Sequence, residues 1–129
     1  MYMLDTNAIS AIMNKNVAFM QRLRAKSFEQ ICMSSIAWAE IRYGIYKKGS
    51  TKLQKSADSL AKKIRIVPFN QQTADTYAKL RSDMEKQGKN LSPMDMLIAA
   101  NAIANNCVLV TNDQAFWQVE ALKVEDWTV

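Results

Sequence analysis

The chain has 129 residues, 49% of them hydrophobic and 22% charged, with 17 basic against 12 acidic groups, two cysteines and no histidine. Such proportions describe one domain over residues 1–129 with mass for a single core, and they exclude a disordered chain, a bilayer span and a secretory signal, so the expected compartment is the cytoplasm, with no membrane partner. Without histidine there is no Ser-His-Asp hydrolysis, no imidazole acid/base catalysis and no His-ligated zinc, and two cysteines cannot build a four-thiolate site; metal chemistry would rest on oxygen ligands, which suit magnesium or manganese.

Residues 1–4 read as a short strand and 7–26 as one or two helices. A strand over 30–34 leads into a helix over 35–48. Residues 51–64 form a Lys-rich helix with Leu53, Ala57, Leu60, Ala61 and Ile64 on one face. Arg65-Ile66-Val67 is a brief strand stopped by Pro68, and the helix over 71–87 ends at Gly88. Ser92 and Pro93, as N-cap and first helical residue, open a helix that runs to about Asn105. Its several alanines suggest close packing on a sheet. Residues 107–110 are a buried strand and 122–125 a short last one. Strands alternating with helices predict an α/β fold, a parallel sheet with helices on both faces.

Four acids stand at matching places in this pattern. Asp5 follows strand one, and Asp113 follows the run Val108 to Asn112. Glu40 lies in the first turns of the helix after strand two, and Asp95 in the first turn of the helix before the 107–110 strand. Ligands of open α/β sheets bind outside the carboxyl ends of the strands, so these four can meet on one rim. Gathered acids repel and call for a cation. Each also has a plain alternative. Asp5-Thr6-Asn7 favours a turn or an N-cap, Asp95 complements a helix dipole, and Thr111-Asn112-Asp113 can close a loop. Glu40 is the hardest to explain that way, because its neighbours are apolar and buried glutamates are rare without a partner. Thr6, Asn7, Thr111 and Asn112 could hold the carboxylates or bound water, or cap helices and turns.

With four acids in a pocket, the remaining surface is more basic than the net charge of +5, as suits a polyanion approaching a metal. From Arg42 to Arg65 the only acid is Asp58. Lys47, Lys48, Lys52 and Lys55 are the candidate RNA-backbone contacts in this stretch, which otherwise reads as a solvated helical face. Trp38, Tyr43, Tyr46 and Tyr77 read as core or interface. Cys32 and Cys107 read as small buried hydrophobes, with a disulfide disfavoured in the cytoplasm.

Taken together, the motifs resemble a known family. Met3-Leu4-Asp5-Thr6-Asn7 is similar to the opening of PIN-domain nucleases, and Ser34-Ser35-Ile36 through Ala39-Glu40-Ile41, then Tyr43-Gly44, to the second motif of the VapC toxins. Pro93 through Ala100 resembles the third, Val110-Thr111-Asn112-Asp113 with Phe116 the fourth, and Val124-Glu125-Asp126-Trp127 the usual ending. The likeness covers essentially the whole chain. It implies a three-layer PIN fold with strand order 3-2-1-4-5 and a magnesium- or manganese-dependent endoribonuclease acting on structured RNA of the tRNA or rRNA class. It further implies a homodimer, neutralised by a VapB-type antitoxin in a larger assembly. Asp5, Glu40, Asp95 and Asp113 then form the catalytic and metal-binding set, and Thr111 matches the hydroxyl of the fourth motif. Asn101 departs from the family, standing where close relatives often carry histidine. Two rivals stay open: a non-catalytic RNA-binding or interaction domain, and a phosphatase with Asp5 as nucleophile, which would want an acid where Asn7 stands.

Overall fold

The computed structural model describes residues 1–129. Five short parallel strands form one sheet in the order β3-β2-β1-β4-β5. They are β1 (Tyr2–Leu4), β2 (Ile31–Ser34), β3 (Arg65–Val67), β4 (Val108–Val110) and β5 (Val124–Glu125). Six helices flank them: α1 (Thr6–Met13), α2 (Val17–Arg24), α3 (Ser35–Lys48), α4 (Thr51–Lys63), α5 (Gln71–Lys86) and α6 (Pro93–Ala104). The architecture and strand order are those implied by the family resemblance. No helix is long and apolar enough to cross a membrane.

Local sequence explains where the helices start. Asp5, Asn16, Ser34, Ser50, Asn70 and Ser92 each precede a helix, and each side chain accepts a hydrogen bond from a backbone N–H in its first turn. The predicted 7–26 segment is two helices, broken where Lys15 takes a left-handed φ of 56° before the Asn16 cap. Gly49, at φ 65°, ends α3 in the conformation that glycine adopts without steric cost. Two short 3₁₀ turns, Phe28–Gln30 and Gln114–Gln118, were not foreseen.

β1 is the middle strand. Tyr2 pairs with Ile31 on one side and Val108 on the other. All four residues of β2 are buried, as a strand covered on both faces requires. Ala57, Leu60 and Ile64 of the predicted α4 face are buried, with Leu53 and Ala61 packed against the core. Cys32 and Cys107 are buried free thiols with sulfurs 3.9 Å apart. Trp127, fully buried, packs against Tyr2 and Phe19 with ring centroids 5.3 and 5.4 Å away. Its indole N–H donates to Glu125 Oε1 at 3.0 Å, and the Arg22 guanidinium donates to the carbonyls of Asp126 and Val129. This ties the C-terminal tail to α2 and the central strand.

Asn101 is also fully buried. Its amide donates to Ser34 Oγ at 2.9 Å and to the Val67 carbonyl at 3.4 Å, while its own oxygen accepts from Asn105 Nδ2 at 3.0 Å. One side chain thus joins α6 to the ends of β2 and β3, and a buried amide with partners on both sides costs little.

Candidate active site

Asp5 is the residue immediately after β1. Its N–H extends the sheet ladder to the Val110 carbonyl at 3.2 Å. Its Oδ1 accepts from the Ala8 N–H at 2.8 Å, capping α1. Only 2% of the residue is exposed. Burial is the main force lifting its pKa to about 6, and the charges of Asp95 and Asp113 add to it. The Thr111 hydroxyl and the Ala8 N–H oppose the rise.

The other acids arrive from three different elements. Asp95 stands in the first turn of α6, its N–H donating to the Ser92 cap at 3.3 Å. Burial holds its pKa above the usual carboxylate range, with Asp113 and Glu40 adding and Ser92 opposing. Asp113 caps the 114–118 turn through the Ala115 N–H at 2.9 Å, and its own N–H donates to Thr111 Oγ1 at 3.0 Å. Glu40, in the second turn of α3, accepts from Thr6 Oγ1 at 2.7 Å. The sequence suggested a buried glutamate, yet Glu40 is half-buried, because Ala39 and Tyr43 beside it face solvent while Ala37 and Ile41 face the core. Its partner is the Thr6 hydroxyl.

Asp5, Asp95 and Asp113 therefore lie within electrostatic reach of one another at the carboxyl edge of the sheet, and Glu40 lies within reach of Asp95. They share a field without meeting at one point: no three are drawn together into a ready coordination group, as repulsion among like charges favours. Thr6 and Thr111 touch this set through Glu40 and Asp113, whereas Asn7 and Asn112 are exposed. Every donor is a hard oxygen, and a buried carboxylate between two like charges is a group that a divalent cation relieves. The donor set therefore fits magnesium or manganese.

Lys47, Lys48, Lys52 and Lys55 are all exposed. Arg42 is engaged elsewhere, paired with Asp58 at 3.0 Å and lying against the rings of Trp38 and Tyr46. Beside the rim, a cleft of about 220 Å³ opens between α1, α3 and α4. Thr6 and Glu40 form one end of it, and Ser10, Asn14, Gly44 and Lys48 line its sides. Sequence reasoning missed this cleft. The signal was present as two runs at four-residue spacing, 6-10-14 and 40-44-48, but nothing local says that the two helices face each other.

Residues 2–122 match the PIN domain family model. The chain is 35% identical to Ribonuclease VapC2 of Rickettsia felis, across 98% of this chain and 97% of that protein. It is 28% identical to the tRNA(fMet)-specific endonuclease VapC of Shigella flexneri, across 98% of both. Its fold superposes on the crystal structure of Rickettsia felis VapBC2 bound to a promoter DNA fragment with a TM-score of 0.87, at 32% identity and 98% coverage of both chains. With the four acids, the capped Asp5 and the strand order in place, the chain belongs to the PIN-domain family, in its VapC branch of ribonuclease toxins.

Proposed function

We propose that this chain is a magnesium- or manganese-dependent endoribonuclease, the toxin of a toxin–antitoxin pair, which hydrolyses phosphodiester bonds in structured RNA of the tRNA or rRNA class. The observation that supports it most is the shared field of Asp5, Asp95 and Asp113, with Asp5 raised to about 6. Asp5 and Asp95 would be the principal cation ligands, and Glu40 and Asp113 would act through water or complete a second position. When bound, the cation polarises the phosphate and lowers the pKa of the attacking water. The Ala8 N–H and the Thr111 hydroxyl hold Asp5 in one orientation and leave it lone pairs with which to bind a cation. Thr6 fixes Glu40 in the same way, and Thr111 fixes the backbone of Asp113. Pre-set carboxylates need little reorganisation when charge develops on the phosphate. The products would carry 5′-phosphate and 3′-hydroxyl ends, since the route needs no attack by the 2′-hydroxyl.

Lys47, Lys48, Lys52 and Lys55 would follow the RNA backbone. A homodimer and a VapB-type antitoxin complete the assembly. The Rickettsia felis relative was solved as VapBC2, and Val17 and Phe28, exposed at the two ends of the α2 region, offer an apolar seat here. Retention of all four acids weighs against a non-catalytic domain, and the exposed Asn7 against a phosphatase. The deciding experiment is cleavage of a mixed RNA pool by the purified chain in manganese, beside Asp95→Asn. Manganese-dependent cuts that vanish in the variant are expected. Equal cutting by both would remove Asp95 from the site, and no cutting by either would remove the nuclease function.

A further inference from the structure

Thr6 and Ser10 on α1, with Asn14 at its C-cap, face Glu40, Gly44 and Lys48 on α3 across the cleft beside the acidic rim. Four-residue steps keep each set on one side of its helix. Ile41 and Leu53 supply part of the apolar lining. At one end the Thr6–Glu40 hydrogen bond joins the cleft to the acids, and Lys48 is among the residues along its sides.

Gly44 is the telling residue. Glycine in a helix interior costs about 1 kcal/mol relative to alanine. Two requirements can justify that cost within a fold, and neither applies. Its φ is not positive, unlike those of Gly49 and Gly88. A Cβ at this position would meet nothing within 4 Å. What glycine preserves here is open space in the cleft.

We propose that the cleft is a nucleobase pocket, which receives one unpaired purine of the RNA strand beside the scissile phosphodiester and is kept open by Gly44. The proposal rests on the ribonuclease function proposed above. A base matches the lining: apolar surface for its flat faces, and hydroxyl, amide and ammonium groups for its edges. Lys48, the one of the four lysines that lines the cleft, turns from the backbone to the acceptor edge of a purine, where N7 and, in guanine, O6 lie together. The space admits a single ring system, which favours a base over the long groove that an amphipathic helix needs. Continuity with Glu40 puts the pocket within reach of a nucleotide adjoining the phosphate at the rim.

The test is binding of short oligouridylates carrying one central guanosine, or one central abasic residue, measured by anisotropy without divalent metal at low salt. Wild type should prefer the guanosine RNA by about tenfold or more, the worth of one charge-assisted hydrogen bond plus apolar burial. Gly44→Leu, whose side chain occupies the cleft, should lose the preference, and Gly44→Ala should keep part of it. Both variants should melt no lower than wild type, since helix propensity improves and the added Cβ meets no atom within 4 Å. An equal preference in wild type and Gly44→Leu, or none in wild type, overturns the pocket. So does a Gly44→Leu protein that keeps the preference but escapes neutralisation by the antitoxin, which would make the cleft a protein-docking site. Cleavage in manganese is scored separately. Preference without cleavage overturns the nuclease and keeps the pocket, whereas cleavage without preference does the reverse.

Discussion

Replacing Asp5 by asparagine should make the metal-free protein more stable while removing its activity. The native carboxyl titrates at about 6 against 3.8 for an unperturbed aspartate. At ~1.4 kcal/mol per pKa unit, that gap corresponds to about 3 kcal/mol at neutral pH. Its sign follows from proton binding. Between pH 4 and 6 the folded state holds a proton that the unfolded state has released, so stability falls as pH rises through this window. Below it, both states are protonated and the penalty is gone. Asparagine keeps the shape and still caps α1 through its oxygen, and its amide can donate toward the neighbouring acids. For a chain of this size ~3 kcal/mol is roughly 10 °C in Tm. Thermal melts of both proteins in EDTA, from pH 4 to pH 8, measure the gap directly. It should be largest above pH 6 and close toward pH 4. A variant no more stable than wild type at pH 7.5, or a gap independent of pH, would refute the idea that buried charge at Asp5 burdens the fold.

In wild type, manganese at a hundredfold over its dissociation constant should add about 2.7 kcal/mol, and the gain should shrink sharply in Asp5→Asn; identical melts with EDTA and with metal would speak against a cation site. Neutralising Lys47, Lys52 and Lys55 together, with Lys48 kept for the pocket, should weaken binding to many RNAs alike and lower the log–log salt slope by about 0.7 for each single-strand phosphate that no longer meets a lysine. An unchanged slope would return these lysines to a solvated face. Asn101→Ala should cost about 1–3 kcal/mol in urea denaturation, because Ser34 and Asn105 lose a buried partner; a neutral result would show that water replaces the amide.

Much of this fold is written locally. α3 could be bounded to the residue because Ser34 caps its start and Gly49 stops its end. The positions of Asp5 and Asp113 were legible for the same kind of reason, since each follows an apolar run long enough to be a strand. Burial of Glu40 was not, because it depends on which side of α3 meets α1, and the apolar residues around it are split between core and solvent. The 114–118 turn escaped notice because Gln-Ala-Phe-Trp-Gln has no helical or strand period, and only the Asp113 cap defines it. Asn101 looked like a departure from the family motif. Its purpose emerges only once β2 and β3 end beneath α6, where a buried amide can bridge them.

The placement of β1 has a consequence for how the protein is made. β1 is made before the other four strands but forms the middle of the sheet, with one flank on β2 and the other on β4. A nascent chain can pair β1 with β2 early, yet β4, Asp113 and the Trp127 anchor are all made well after both. Long-range pairing of this kind cannot begin before both partners exist. The acidic rim therefore cannot assemble until β4 and Asp113 have been made, however early β1 and β2 have paired.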